Sequence, residues 1–481
     1  MNDNVRTTNQ TVHRRYLRSR RDWLFEAGCG FGGLALLAML SQEQHVAAAE
    51  HHTRPRLPHT WGRARHVIFL FMDGGPSHLD TFDPKPLLNR YAGQPLPTSI
   101  RRVITPMGVS ENPLLAAPRT WTRYGECGLP VSEWYAQVGQ HADKLCVLRA
   151  CVSDALNHVG GICQMNTGSI LAGRPSLGAW VNYGLGSESQ NLPGFVVLLD
   201  TDRDPPGGHR AWGTGFMPAV YQGTKFLPGE QPILHLQPPA DISAARQHNK
   251  IELIRDLNVQ YNASRGDDSL LSARLQAYEL AFRMQMHAPE AVDLTQETAE
   301  THRLYGLDRP ETQTFGRNCL LARRLIERGV RFVQLYSGSG SRWDAHANIE
   351  ANHSKLCRET DGPIAGLLTD LERRGLLEET LVIWGGEFGR TPMSEKGDGR
   401  DHNPYGFTMW LAGGGVRGGQ VIGATDDFGL HAVSQRVHIH DLHATILAAL
   451  GIDHTQLIYR HQGRPERPTL NEGSVVDQVF G

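Results

Sequence analysis

The chain has 481 residues, of which 40% are hydrophobic, 20% charged and 7% aromatic. These proportions are those of a folded globular protein, and they exclude a disordered or fibrous chain. The formal net charge is −2, and no dense run of Lys and Arg occurs after residue 21. The sequence therefore predicts no nucleic-acid partner.

The N-terminal segment predicts export. Five arginines lie between residues 14 and 21, an apolar stretch covers residues 27–40, and three alanines occupy residues 47–49. This order is typical of a secretory signal, and the apolar stretch is shorter than the roughly 18 residues of a membrane span. Residues 19–24 also resemble a twin-arginine signal. We expect a signal at 1–49, a linker at 50–64 and a periplasmic or extracellular protein; the alternative is an uncleaved N-terminal anchor.

Three continuous apolar runs predict strands that are buried on both faces of a sheet. These runs are His66–Met72, Arg331–Tyr336 and Thr380–Trp384. Apolar residues at helical spacing predict helices over 314–328 and 360–374, and Gly329 and Gly375 are expected to end them. The alternation of helix and strand predicts a parallel sheet with both faces covered, in one large α/β domain over residues 65–478.

Other segments give weaker predictions. Residues 86–134 and 200–247 are rich in Pro and Gly and are predicted to be inserted lids. Residues 268–286 form an amphipathic pattern that predicts a packed helix. Cys146 and Cys151 are one candidate disulfide, and buried free thiols are the alternative interpretation.

Polar side chains follow each of the three predicted strands. In an open α/β sheet the carboxyl ends of the strands form one edge, and ligands bind there. One Asp alone more often caps a helix or closes a turn, but several carboxylates and imidazoles together are suited to a divalent metal. The polar residues there are Asp73, His78 and Asp80 after the first strand, Asp344, His346 and His353 after the second, Glu387 after the third, and Asp401 and His402 in a following loop; we predict a divalent metal site among them.

Two further groups of residues could carry chemistry. His158 and Cys163 lie in residues 153–168 and are candidate nucleophiles or proton carriers. The alternative is a hydrogen-bonded loop histidine and a small core cysteine. Four histidines, at positions 438, 440, 443 and 454, surround an apolar helical segment, and we predict that they pack there with some polar surface.

Six stretches of the chain resemble the family described as domain of unknown function 1501. They are distributed over nearly all of the chain after the signal, and they are Phe71–Pro86, Met165–Gly168, Trp343–His346, Gly385–Pro392, Gly399–His402 and His440–Thr445. That family is grouped with the alkaline phosphatase-like superfamily, which includes sulfatases. The resemblance implies an α/β three-layer sandwich with a mostly parallel central sheet, helices on both faces and inserted lids.

The resemblance also implies a chemistry. Members of the superfamily use one or two divalent metals, such as zinc, calcium, magnesium or manganese, to hold a sulfate or phosphate ester. By position Asp73, Asp344, His346, Glu387 and His402 resemble the metal ligands, with Asp401 as a ligand or close neighbour. Phe388 replaces a metal histidine of the superfamily, which implies one ion or a weakened second site.

The nucleophile stays open at this point. In one register of the sulfatase signature it falls on His158, in another on Cys163, and a metal-bound water is the third alternative. The favoured interpretation is an exported metal-dependent hydrolase of a small-molecule or glycan ester. In it His158 is the nucleophile or acid–base, and Arg390 clamps the ester oxygens. The alternative is a non-catalytic exported binding protein with the same fold.

Overall fold

A computed structural model of the protein describes residues 54–229, 232–233, 243–265 and 269–481. The predicted export signal at 1–49 lies outside these residues. Within the described ranges, no helix has both the length and the apolar character that crossing a membrane requires.

The strands are, in chain order, β1 (His66–Met72), β2 (Trp121–Tyr124), β3 (Leu129–Ser132), β4 (Leu145–Val152), β5 (Phe195–Leu199), β6 (Thr224–Phe226), β7 (Phe332–Ser337), β8 (Thr380–Gly385), β9 (Gly389–Glu395), β10 (Gly399–Asn403), β11 (Phe407–Ala412), β12 (Gln420–Ile422), β13 (Ala424–Thr425), β14 (Ala432–Ser434), β15 (Val437–His438), β16 (Tyr459–His461) and β17 (Arg464–Glu466). The three predicted strands correspond to β1, β7 and β8 and are confirmed to within one residue at each end.

The helices are α1 (Pro86–Arg90), α2 (Ala136–Gly139), α3 (His158–Thr167), α4 (Leu177–Leu185), α5 (Ala244–Arg265), α6 (Ser269–Val292), α7 (Ala299–Leu304), α8 (Pro310–Glu327), α9 (Ile349–Arg373) and α10 (Ile439–Ala449). The two predicted helices before β7 and β8 are α8 and α9, and α9 begins eleven residues earlier than the apolar spacing predicted. Gly329 and Gly375 follow these helices with φ values of 83° and 70°, which is the left-handed conformation that glycine adopts at helix ends.

In the described part of the chain, one nine-stranded sheet forms the centre of the structure. Its order is β12-β4-β11-β8-β1-β7-β5-β6, and β15 also pairs with β4. The pairs of β1 with β7 and β8, of β5 with β7 and β6, and of β4 with β12 and β15 are parallel, whereas β11 runs antiparallel to both its neighbours. The α/β class with a mostly parallel central sheet is thus confirmed.

Both faces of the sheet are covered because the strands are apolar throughout. In β1, Ile68, Leu70 and Met72 pack into one core cluster together with side chains of α8 and α9. The alternate residues Val67 and Phe69 belong to a second cluster, which includes side chains of α3, α4 and α10. Since successive side chains of a strand point to opposite faces, this alternation places helices on both sides of the sheet.

The segment at 86–134, which was predicted to be an inserted lid, contains regular structure of its own. It contains α1 and the β2–β3 hairpin, and its apolar side chains contribute to a third core cluster around Leu88 and Leu114. In the other predicted lid, at 200–247, β6 joins the edge of the central sheet. Cys146 and Cys151 are free thiols, so the candidate disulfide is absent from the structure.

Candidate metal centre

The predicted site residues come together at the carboxyl edge of the sheet. Because β1 pairs in parallel with both β7 and β8, the segments that follow these strands leave the sheet at the same edge. Asp73 follows β1, Asp344 and His346 lie in the loop after β7, and Glu387 follows β8. The β9–β10 hairpin adds His402.

Gly74 allows these segments to approach one another closely. Its φ of 115° lies in the region that favours glycine. A Cβ at this position would stand 2.5 Å from the main-chain nitrogen of Asp344, so a side chain would push the two loops apart. The N–H of Gly74 donates to both carboxylate oxygens of Glu387, at 3.1 and 3.3 Å.

Three atoms that could bind a metal through their lone pairs lie at the centre of the site. They are Asp344 Oδ1, His346 Nε2 and His402 Nε2, and we call them the acceptor triangle. His346 Nε2 lies 3.0 Å from Asp344 Oδ1 and 3.1 Å from His402 Nε2. His402 Nε2 lies 3.3 Å from the same Asp344 oxygen. Ligands about 2.1 Å from a tetrahedral zinc ion are separated from one another by about 3.4 Å. The three observed separations are close to that value.

The hydrogen bonds of the two histidines determine which nitrogen carries the proton. His402 Nδ1 lies 2.7 Å from the carbonyl oxygen of Leu156, which can only accept, so Nδ1 is the donor. His346 Nδ1 donates in the same way to the Glu395 carboxylate. Both Nε2 atoms therefore direct lone pairs toward each other and toward Asp344. Three acceptors at hydrogen-bond distance require a proton or a cation between them, and the outer hydrogen bonds are those of metal-bound histidines.

His158 is the fourth member of this group. It is the first residue of α3, and its Nδ1 donates to Glu387 Oε1 at 2.6 Å. Its Nε2 lies 3.2 Å from Asp344 Oδ2, the carboxylate oxygen that the triangle does not use. Donor atoms of His158, Asp344, His346 and His402 all lie within 4.8 Å of one another.

Contacts within the group favour a protonated His158 and an ionised Asp344. Burial lowers the pKa of His158, but hydrogen bonds to Asp344 and Glu387 outweigh burial and raise that pKa to about 9. Burial opposes ionisation of Asp344 as well, yet contacts with His158, His346 and His402 hold the pKa of Asp344 well below its usual range. The same negative charge would stabilise a bound cation.

Asp73 and Glu387 lie beside the triangle rather than in it. Asp73 Oδ2 accepts N–H groups from Gly340 and Ser341 at 2.8 and 3.0 Å. Its Oδ1 is buried and has no hydrogen-bond partner among the residues that the structure describes. Burial and the nearby charge of Glu387 raise the pKa of Asp73 to about 8. A cation near the carboxylates of Asp73 and Glu387 would stabilise their ionised forms and so lower the pKa of Asp73.

Arg390 was predicted to bind the oxygens of an ester substrate, but its hydrogen bonds go to other groups of the protein. Its side chain is fully buried, and its guanidinium donates to the carbonyl oxygens of Gly74, Gly75 and Arg400. It also donates to Asp344 Oδ1 at 2.8 Å. The predicted clamp on ester oxygens does not fit this geometry, because these partners occupy the guanidinium. Arg390 instead positions Asp344 and the turn after β1.

The carboxylate of Asp401 also accepts hydrogen bonds from main-chain groups. Its two oxygens accept the N–H groups of Met107 and His402, at 2.8 and 2.7 Å. With His346 and Glu395 it forms a second group whose donor atoms lie within 4.8 Å. Glu395 was not predicted from the sequence, because it lies in the β9–β10 hairpin, far in sequence from His346, without a motif of its own.

Phe388 and Cys163 bear on the open questions of metal number and nucleophile. The Phe388 ring stacks on His402, with ring centroids 4.5 Å apart, and therefore takes up space beside the triangle without offering a ligand atom. Cys163 is buried in α3, and its Sγ contacts Thr167 Oγ1 at 3.7 Å. Of the two candidate side-chain nucleophiles, His158 is the one that the structure brings into the site.

Fold and site together define an α/β protein with a histidine–carboxylate centre at the carboxyl edge of its sheet. The chain belongs to the family described as Protein of unknown function (DUF1501), whose model matches residues 64–480. No curated protein matches the chain in sequence.

Several solved structures are similar to this chain at low identity. A sulfatase, PsFucS1 from Pseudoalteromonas sp., is 12% identical with a TM-score of 0.34, over 86% of this chain and 70% of that one. Alkaline phosphatase from the Antarctic bacterium TAB5 is 11% identical with a TM-score of 0.31, over 80% and 98%. The lipoteichoic acid synthase LtaP from Listeria monocytogenes is 10% identical with a TM-score of 0.33, over 85% and 78%.

Proposed function

We propose that the protein is an exported metal-dependent hydrolase that cleaves a sulfate or phosphate ester, with glycan esters as the substrate class. The observation that supports this proposal most is the acceptor triangle of Asp344, His346 and His402, in which three lone pairs converge. A divalent cation satisfies all three at once. Two imidazoles and a carboxylate favour zinc or manganese over calcium and magnesium, which prefer oxygen ligands.

The bound ion and the residues around the acceptor triangle would have separate roles in catalysis. A bound divalent ion supplies positive charge that stabilises the oxyanion developing on an ester. Glu387 holds Nδ1 of His158, so Nε2 is the atom at which His158 carries a proton or attacks. His158 begins α3, and the N–H groups at a helix N-terminus have no intrahelical partner and attract anions. This supports an anionic substrate next to the metal.

A second candidate function, a non-catalytic exported binding protein, is favoured by a separate observation. Among the described residues, no hydroxyl or thiol hydrogen bonds to the side chains of His158, Asp344, His346 or His402. Without such a neighbouring group, this centre would have to use His158 or a water molecule as its nucleophile. A protein that holds an ion and an anionic ligand without turnover would have the same geometry.

Turnover measurements separate the two candidates. Purified protein is stripped with a chelator, reloaded with Zn²⁺ or Mn²⁺, and incubated with aryl sulfate and aryl phosphate. A hydrolase predicts release of the aryl alcohol, its loss in Asp344→Asn, and a strong decrease in His158→Gln. The exposed His287 provides a control, His287→Gln, that should behave as wild type. Bound metal without turnover on either ester would refute the hydrolase and favour the binding protein.

Export is a separate part of the proposal and has its own test. It rests on the arginines at positions 20 and 21, followed by the short apolar stretch at 27–40. Cell fractionation of the full chain should find the protein outside the cytoplasm. An Arg20→Lys/Arg21→Lys variant should be retained inside, and equal distribution of both proteins would contradict twin-arginine export.

A further inference from the structure

Residues 338–341, which we call the β7 loop because they follow β7, have an unusual backbone conformation. Gly338, Gly340 and Ser341 have φ values of 76°, 89° and 63°. A side chain makes this left-handed conformation unfavourable, so Ser341 needs contacts that hold it there. Such a backbone directs neighbouring N–H groups toward one side, where they can bind an anionic group.

Two carboxylates accept these N–H groups, one from each strand that pairs with β7. Asp73 follows β1 and accepts the two N–H groups in the second half of the β7 loop. Asp200 follows β5, and its two oxygens accept the N–H groups of Gly338 and Ser339, at 2.6 and 3.0 Å. The side chain of Asp200 is only 6% exposed. The β7 loop is therefore held from both sides of its strand.

Main-chain hydrogen bonds connect the β7 loop to the acceptor triangle. The N–H of Arg342 donates to the carbonyl oxygen of Gly338 at 2.8 Å, and the N–H of Asp344 donates to that of Ser341 at 3.0 Å. Asp344 in turn contributes Oδ1 to the acceptor triangle. A change in the conformation of the β7 loop would therefore move this oxygen relative to the two histidines.

The end of β5 is well fixed, so it can hold the β7 loop in place. Asn318 in α8 donates from Nδ2 to the carbonyl oxygen of Leu199 at 3.0 Å, one residue before Asp200. On the other side, Thr201 Oγ1 donates to the carbonyl oxygen of Ser339 at 3.3 Å. Asp200 and its neighbour thus bind both the N–H and the carbonyl groups of the same loop.

We propose that Asp200 is a positioning residue of the metal centre. It fixes the β7 loop at Gly338 and Ser339 and so determines where the carboxylate of Asp344 lies. This role rests on the proposed function, since the acceptor triangle must bind the ion. The competing account is that Asp200 only closes a loop at the end of a strand, which would stabilise the fold without affecting the metal centre.

An Asp200→Asn substitution in the full chain separates the two accounts. The amide keeps the size of the side chain, but its NH₂ group cannot accept a hydrogen bond, so one N–H of the β7 loop loses its partner. The affinity for Zn²⁺ in calorimetric titration should fall by about 10–100-fold, the usual effect of losing an outer partner of a metal site. The matched control is Asp202→Asn, because Asp202 is exposed, and it should bind zinc as wild type does.

Unchanged zinc affinity in folded Asp200→Asn protein would overturn the positioning role, and a lowered urea midpoint in that protein would then identify a purely structural carboxylate. Circular dichroism checks that the variant is folded. Wild-type protein that binds zinc but cleaves no ester would refute the hydrolase, whereas the zinc titration would still decide the role of Asp200.

Hydrogen exchange of the wild-type protein gives a second test that needs no variant. If the β7 loop positions the metal ligand, bound zinc stabilises the loop in return, because coupling between two sites is reciprocal. The N–H groups of Gly338 and Ser339 should therefore exchange more slowly after zinc is added. Equal exchange rates with and without zinc would overturn the positioning role.

Discussion

Replacing Arg390 with methionine should destabilise the protein strongly, because it removes a buried hub of hydrogen bonds. The guanidinium donates to the carbonyl groups of Gly74, Gly75 and Arg400 and to the Asp344 carboxylate. An unsatisfied buried group costs about 1–3 kcal/mol, and removing one partner of a buried ion pair costs about 3–5 kcal/mol. Since these terms overlap, we expect Arg390→Met to lower the free energy of unfolding by about 4 kcal/mol.

The assay is urea denaturation of chelator-treated and zinc-loaded protein. Arg390→Met should also weaken zinc binding by about 10–100-fold, the usual effect of losing a group that orients a metal ligand. The control is Arg373→Met, because Arg373 is 60% exposed and its nitrogen lies 3.6 Å from Glu300, so we expect a loss below about 1 kcal/mol. Arg390→Met with wild-type stability and zinc affinity but no ester turnover would refute the positioning role and restore the predicted substrate clamp.

Three further predictions concern the surroundings of the site. A Cβ at Gly161 would lie 3.1 Å from Glu387 Cβ. Gly161→Val should therefore lower the free energy of unfolding by about 1–3 kcal/mol and weaken zinc binding. An unchanged urea midpoint together with an unchanged zinc affinity would contradict this. Glu395→Gln removes the carboxylate that holds His346 Nδ1 and should weaken zinc binding about 10–100-fold in calorimetry; wild-type affinity would contradict it. Burial lowers the pKa of His353 to about 3 from 6.5, so between these values the unfolded chain takes up a proton that the folded chain does not. The free energy of unfolding should fall by about 1.4 kcal/mol per pH unit on acidification through that window. His353→Gln should reduce this dependence of stability on pH, measured by urea denaturation at several pH values. An equal dependence in both proteins would contradict the lowered pKa of His353.

The central strands could be predicted from the sequence because a strand that is buried on both faces is a continuous apolar run. β1, β7 and β8 carry that pattern, and glycines end the helices before two of them. The run Phe195–Leu199 has the same pattern and forms β5, although it was not predicted. It was obscured by the glycine- and proline-rich residues that follow. Strand order depends on pairing between distant segments, which local periodicity does not contain.

The site was predictable in its residue types but not in its hydrogen bonds. Asp344, His346 and His402 were assigned from strand ends and from family resemblance, and the structure brings their donor atoms together. The burial of Arg390 and the presence of Glu395 were not predictable. Both depend on the β9–β10 hairpin, which folds back over the loop after β7, and no spacing rule gives that contact.

Anomalous diffraction at the zinc edge, from crystals of zinc-loaded protein, is the most direct measurement of the metal centre. We predict a peak about 2.0–2.2 Å from Asp344 Oδ1 and from the Nε2 atoms of His346 and His402. The peak should disappear in Asp344→Asn crystals grown in the same way. Zinc-loaded crystals with no peak among these three atoms would contradict the account, and the proposed hydrolase would lose its main support.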